Sequence, residues 1–301
     1  MISHHPVFEK FSRFAGRVPE GFQADFIGAL AKREFVAGSS PSPPEVTTDY
    51  PSVDEEYFEW IDLLESVCQA SDKYTMIELG AGYGRWAVRA ALAARQHGIA
   101  KCHLVAVEAE PIHFKWLRQH LSNNGVNPDE HTLVQGIVSD KPGEMLFYVG
   151  MPKGGEDRAD QWYGQAIAQS HERVAREARD LHEGFQVFEH KSGWKSIKVR
   201  ALTLASLLAG LERVDLIDMD VQGEEFNIVH ATIDELNRKV ARLHIGTHNL
   251  DVEKGLRKTL SKAGWKAEFD YPCLSKSDTP WGPVNFSDGV QSWRNPKFSK
   301  A

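Results

Sequence analysis

Met76-Ile77-Glu78-Leu79-Gly80-Ala81-Gly82-Tyr83-Gly84 reads as a buried strand that breaks into a glycine turn and opens a helix. Glycine at 80, 82 and 84 permits positive φ and removes the Cβ atoms that would keep a ligand away from the backbone, while the N–H groups of the following helix are expected to face that ligand. The spacing is Glu-x-Gly-x-Gly-x-Gly, with an acid two residues ahead of the first glycine. A dinucleotide fingerprint, Gly-x-Gly-x-x-Gly, presents its helix start to a pyrophosphate, and a buried carboxylate beside it repels that anion. The same carboxylate favours a cation. This points to S-adenosylmethionine, which carries a sulfonium and an ammonium but no phosphate. On glycine spacing alone the dinucleotide reading stays open.

The 301 residues, 42% of them hydrophobic, suffice for one large α/β domain with appendages. A net charge of −7, from 35 basic and 42 acidic residues, disfavours binding to nucleic acid, which draws its affinity from neutralised phosphates. Cys68, Cys102 and Cys273 are far apart and show no metal-site spacing, so ordinary thiols in a reducing compartment are expected. No stretch has the pattern of a signal peptide or the ~20 apolar residues of a membrane span, so a cytoplasmic protein without membrane contact is expected.

Aromatic and aliphatic spacing over residues 1–37, with Phe8, Phe11, Phe14, Phe22, Phe26 and Leu30, suggests short helices that end in the linker Gly38-Ser39-Ser40-Pro41-Ser42-Pro43-Pro44. A further helix follows through Tyr57, Trp60, Ile61, Leu64 and Val67, with Asp54 as its cap. Residues 1–70 are therefore expected to form a helical extension. Strands at 75–79, 103–107 and 131–138 then alternate with helices at 84–98 and from Pro111 onward, the rhythm of a parallel sheet with right-handed crossovers. Residues 144–149 alternate like an antiparallel strand, and 150–195 read as an inserted lid with a charged, solvated helix at 171–183. The alternation resumes with strands 196–200, 214–219, 241–247 and 265–271 and helices 223–237 and 250–263. The main domain is placed at 71–275, and 276–301 is expected to be a tail that completes the site.

In open parallel sheets, ligands meet the carboxyl ends of the strands. The strand ending at Glu108 and Ala109 places a carboxylate 24 residues beyond Gly84, suited to both hydroxyls of a ribose. Gly136-Ile137-Val138-Ser139-Asp140 offers apolar contact to an adenine, with Ser139 or Asp140 accepting its amino group. In Val214-Asp215-Leu216-Ile217-Asp218-Met219-Asp220-Val221-Gln222-Gly223-Glu224-Glu225, the strand period sets Asp218 and Asp220 on one face. Buried acids in an apolar strand imply pairing or use.

Glu78 to Gly84, Glu108 and the Asp220-to-Glu225 run together resemble the FkbM family of S-adenosylmethionine-dependent methyltransferases, over roughly residues 74–265, including His244-Ile245-Gly246-Thr247-His248. That family shows Lys-Ile-Asp-x-Glu-Gly-x-Glu where this chain has Asp218 for the lysine and Gln222 for the first glutamate. Asp220, Gly223 and Glu225 match. The resemblance implies a Rossmann-like class I methyltransferase sheet with helices on both faces and O-methylation of a sugar, glycan or secondary metabolite. Glu78, Gly80, Gly82, Tyr83, Gly84, Glu108, Ala109, Val138, Ser139 and Asp220 are then the expected cofactor residues. An alcohol nucleophile must lose its proton, so His248 is the expected base, with Asp220 orienting it and His244 second. A divalent metal is left unassigned, since two ligands do not make a site. Trp162, Tyr163, Gln165 and His244 are the expected acceptor contacts, and Trp281 and Trp293 join the aromatic-and-amide pattern that suits a sugar. A homo-oligomer is compatible with the aromatic extension. A nicotinamide-dependent oxidoreductase and a non-catalytic S-adenosylmethionine-binding module are the alternatives.

Overall fold

A computed structural model describes residues 4–36, 43–149, 165–168 and 174–298. Helix α1 (Glu56–Gln69) leads into β1 (Lys73–Leu79), α2 (Arg85–Gln96), β2 (Lys101–Glu108), α3 (Pro111–Asn123) and β3 (Thr132–Gln135). After the insertion come β4 (Leu216–Met219), α4 (Glu225–Lys239), β5 (Arg242–Thr247), α5 (Leu250–Lys262), β6 (Lys266–Tyr271) and β7 (Gly289–Arg294). The sheet order is β6-β7-β5-β4-β1-β2-β3. Strands β1 to β5 pair in parallel. Strand β7 runs antiparallel to both β5 and β6. The expected α/β architecture is thus observed, and helices cover both faces. One core packs α1, α2 and the N-terminal aromatics against the sheet; the other packs α4 and α5. The apolar strands β1, β2 and β4 are buried on both faces, which is why they read as continuous hydrophobic runs.

Several elements depart from the sequence expectation. Among the described residues of 4–54 there is no helix beyond two 3₁₀ turns, and short strands occupy 15–17, 22–24, 30–32 and 45–47. Gly21 and Gly28, both at positive φ, break the runs that aromatic spacing alone makes look helical. Phe8, Phe11 and Phe26 nonetheless bury in the core beside α1 and α2. The expected strand 131–138 divides at Gly136, whose Cβ would lie 2.6 Å from the carbonyl oxygen of Arg200. Beyond it, 137–138 joins a second, mostly antiparallel sheet built from 143–149, 174–182, 185–190 and 195–202. The strand expected at 196–200 therefore lies outside the main sheet. The charged segment at 174–182 is a strand, because Glu183 and Gly184, at φ of 50° and 90°, turn it back onto 185–190. That two-residue turn overrides the helix preference of Ala, Arg, Glu and Leu. The chain beyond 276 is no appended tail, since it supplies β7 in the interior of the sheet. Among the described residues, no helix is long and apolar enough to cross a membrane.

Helix α1 is fastened to the sheet by charge. Asp62, fully buried, accepts from Arg242 Nη1 at 2.6 Å, lies 2.7 Å from His244 Nδ1 and accepts from Ser292 Oγ. Burial alone would raise its carboxyl, but His244, Arg242 and Ser292 hold it below the usual carboxylate range. Removing one partner leaves a buried charge uncompensated, at about 3–5 kcal/mol. Arg242→Leu should lower the unfolding free energy by that amount in a urea titration; an unchanged midpoint would show that α1 is held by its apolar face alone.

Candidate functional site

The order of the sheet reverses between β1 and β4, the switch point at which ligands meet open α/β sheets. A cavity of about 390 Å³ opens there. Gly80, Gly82 and Tyr83 line it from the turn after β1, Glu108 and Ala109 from the end of β2, and Asp218 and Asp220 from the end of β4. Ile137, Val138 and Phe147 line it from the second sheet, Gln165 and Ile167 from the segment 165–168 beside Phe147, and Phe35 and Val36 from the N-terminal extension.

The glycine turn serves packing before it serves a ligand. A Cβ on Gly80 would fall 1.9 Å from the carbonyl oxygen of Asp220, and one on Gly84 would fall 2.2 Å from Leu117 Cδ1. Only without those atoms do β1, β4 and α3 approach this closely. The turn's N–H groups are already engaged: Gly80 and Ala81 donate to the Val107 carbonyl, and Gly82 donates to Glu108 at 2.6 Å. Trp86 and Ala87, at the start of α2, donate to Glu78 at 3.1 and 2.9 Å. A carboxylate thus occupies the helix start where a dinucleotide would require its pyrophosphate.

The cavity is acidic. Burial pushes Glu78 up to about 8, with the Asp218 charge adding and the two helix N–H groups opposing. Burial likewise pushes Glu108 up to about 8 despite donation from Glu110 and Gly82. Asp218 is raised to about 6, chiefly by burial, and Glu59 is raised by burial and by the neighbouring Asp218. Arg85, which pairs with Glu56 at 2.5 Å, is the cation on the wall. Glu59 reaches the cavity from α1. Sequence reasoning missed it, because Glu59 is one of four acids spaced three apart along α1, with Glu56, Asp62 and Glu65, a row that reads as a solvated edge.

Eight of the ten expected cofactor residues line the cavity, and Gly84 and Ser139 do not. Gly84 instead caps α2 in the left-handed conformation, and Ser139 is buried with its hydroxyl 3.2 Å from Asp140 Oδ1. Of the expected acceptor contacts, Gln165 lines the cavity, whereas Trp162 and Tyr163 lie outside the described residues. His244 faces Asp62 in the core rather than the cavity. Trp293 is 1% exposed and donates to Gln291, and Trp281 packs on Tyr57 and Phe58, so neither meets an acceptor.

His248 stands beside Asp220 as expected, with Nε2 3.2 Å from Oδ1, but Nδ1 lies 3.0 Å from Glu225 Oε1 and Asp288 Oδ1 is 3.8 Å from Nε2. Burial opposes its charge, yet Asp220 and Glu225 outweigh burial and push the imidazole up to about 10. In the ligand-free chain these carboxylates favour the protonated ring, which opposes the role of general base expected of His248. The sequence did not show this because Glu225, 23 positions away along the chain, meets the ring only in the fold.

The family model of the methyltransferase FkbM domain matches residues 78–262. A protein of Jannaschia sp. (strain CCS1) named "Putative methyltransferase" is 29% identical over 238 residues, covering 79% of this chain and 78% of that one. Among solved structures, precorrin-6y C5,15-methyltransferase from Geobacter metallireducens GS-15 aligns at a TM-score of 0.42 with 13% identity, over 90% of this chain and 98% of that chain. Methyltransferase FkbM from Methylobacillus flagellatus KT aligns at 0.42 with 11% identity, over 74% of this chain and 44% of that one.

The raised carboxyls make stability fall as pH rises. Glu78 and Glu108 keep their protons in the folded chain up to about pH 8, while the unfolded chain releases them near the ordinary carboxyl value. Between those limits the folded state binds more protons, so each rise in pH favours unfolding. The ligand-free protein should melt at a lower temperature at pH 8 than at pH 5.5, and Glu78→Gln should flatten that slope. Parallel slopes for the two proteins would remove Glu78 from the account.

Proposed function

The chain belongs to the FkbM methyltransferase family, and from that premise we propose that it moves the methyl group of S-adenosylmethionine to a hydroxyl of a sugar, glycan or other small-molecule acceptor. The observation that carries this reading is the acidic cavity at the β1/β4 switch point, with Glu108 at its β2 end and Asp220 at its β4 end. When bound, the cofactor supplies an electrophilic methyl on a sulfonium sulfur.

The residues present fit such a ligand. Each oxygen of Glu108 takes one backbone N–H, from Gly82 or Glu110, and keeps a lone pair for a ribose hydroxyl. Ile137 and Val138 offer an apolar wall for the base. Asp218 supplies negative charge that favours a cation and disfavours a pyrophosphate, and Glu78 and Glu59 add carboxyl oxygens that can accept from an ammonium. Phe35, Val36 and Phe147 add apolar lining to the cavity. Asp220, more than half exposed at its side chain, is the carboxylate that faces outward from this cavity, so it meets the acceptor. The rate then rests on holding nucleophile, methyl and sulfur in line.

Calorimetry with S-adenosylhomocysteine should show one site, weakened about 10- to 100-fold in Glu108→Ala, as expected for loss of two hydrogen bonds to the ribose. A flat titration of the wild type would end the cofactor assignment. In turnover against a panel of sugars and hydroxylated small molecules, Asp220→Asn should reduce methyl transfer about 100-fold while the homocysteine product still binds. Equal turnover by wild type and Asp220→Asn would place acceptor chemistry elsewhere.

A further inference from the structure

The cluster around His248 is not explained by charge pairing. Three carboxylates, Asp220, Glu225 and Asp288, converge on one imidazole. Among the described residues, no lysine or arginine pairs with any of them, so even a protonated ring leaves an excess of two negative charges. Asp220, Glu225 and His248 each bring a ligand atom within 4.8 Å of the others. Glu225 is fully buried, and although its Oε1 accepts from Val221 and Gly223, no donor reaches its Oε2. His248 Nε2 is also sealed from solvent and without an aligned partner, despite Asp220 at 3.2 Å. A buried acceptor with nothing to accept, beside a ring nitrogen in the same condition, calls for a positive centre.

We propose that Asp220, His248 and Asp288, with Glu225 behind them, bind one divalent first-row transition ion at the mouth of the cavity. Glu225 takes Nδ1–H of His248 and so turns Nε2 toward the ion, the carboxylate–histidine–metal arrangement that fixes tautomer and ring orientation. One nitrogen and several carboxylate oxygens suit a borderline ion such as Mn²⁺ better than Mg²⁺, which prefers an all-oxygen shell. Asp288 lies in the turn just before β7, so the ligand set depends on the C-terminal strand. The consequence for chemistry rests on the proposed methyl transfer. An acceptor oxygen on the ion would release its proton to solvent, form the new bond to the methyl carbon and leave the carbon–sulfur electron pair on sulfur. That places deprotonation at the ion and favours acceptors with two neighbouring oxygens.

The test uses Mn²⁺ alone with the full chain, without cofactor or acceptor. Calorimetry should show one site, and Asp288→Asn and His248→Asn should each weaken it about tenfold or more. Pulsed electron paramagnetic resonance should detect a ¹⁴N coupling to bound Mn²⁺ that His248→Asn removes and that the helix-surface substitution His230→Asn leaves. A folded wild type that binds no Mn²⁺ at millimolar concentration, or binding equal in all variants, would overturn the proposal and leave an ion-pair cluster only. Titration of the same samples with S-adenosylhomocysteine separates the two readings, since cofactor binding without Mn²⁺ binding defeats this inference alone.

Discussion

Asp62 is the constraint on which the rest of the molecule depends. A carboxylate with no access to water must find its partners within the protein, and Asp62 finds them on two different strands, Arg242 and His244 on β5 and Ser292 on β7. The geometry fixes α1 in rotation and in height. One turn before Asp62, the same helix carries Glu59 into the cavity, and Glu56 meets Arg85 at the start of α2. A structural charge thus sets the position of the acidic wall that the ligand meets. The extension is locked on by a second device, in which Arg89 lies between the rings of Trp60 and Trp86, 4.3 and 4.2 Å from their centroids, and pairs with Asp25 at 2.8 Å.

The glycine turn and the end of β4 form one unit rather than two motifs. Gly80 can touch the carbonyl of Asp220 because neither residue places a side-chain carbon between them. The cavity floor is therefore as deep as that contact allows. Glu78 then accepts from Trp86 and Ala87, and Glu108 from Gly82 and Glu110, so at these points the site presents carboxyl oxygens rather than free N–H donors.

What was legible in the sequence was whatever period and punctuation encode locally. The apolar runs of β1, β2, β4 and β5, the glycines at 80–84, and Glu108 at its strand end all act on their near neighbours in the chain. What escaped was set through space. Phe35 and Glu59 are ordinary in their local context and reach the cavity only through tertiary packing. His248 has a useful address at the end of β5, but its protonation is set by Asp220 together with Glu225, which reaches it only through the fold. The segment 174–182 has helical composition and becomes a strand because a two-residue turn supplies a partner.

The position of β7 bears on how the chain is made. It enters between β5 and β6, so β6 cannot join the sheet, and the far side of β5 stays unpaired, until residues 289–294 arrive. On the ribosome, where synthesis is vectorial, some 40 residues beyond β5 must emerge before that edge closes. Leu243 and Ile245 lie on the waiting edge, and Arg242 and Asp62 lack Ser292 for the same interval. An unsatisfied strand edge at this stage is a natural target for chaperones or for mispairing with a second nascent chain.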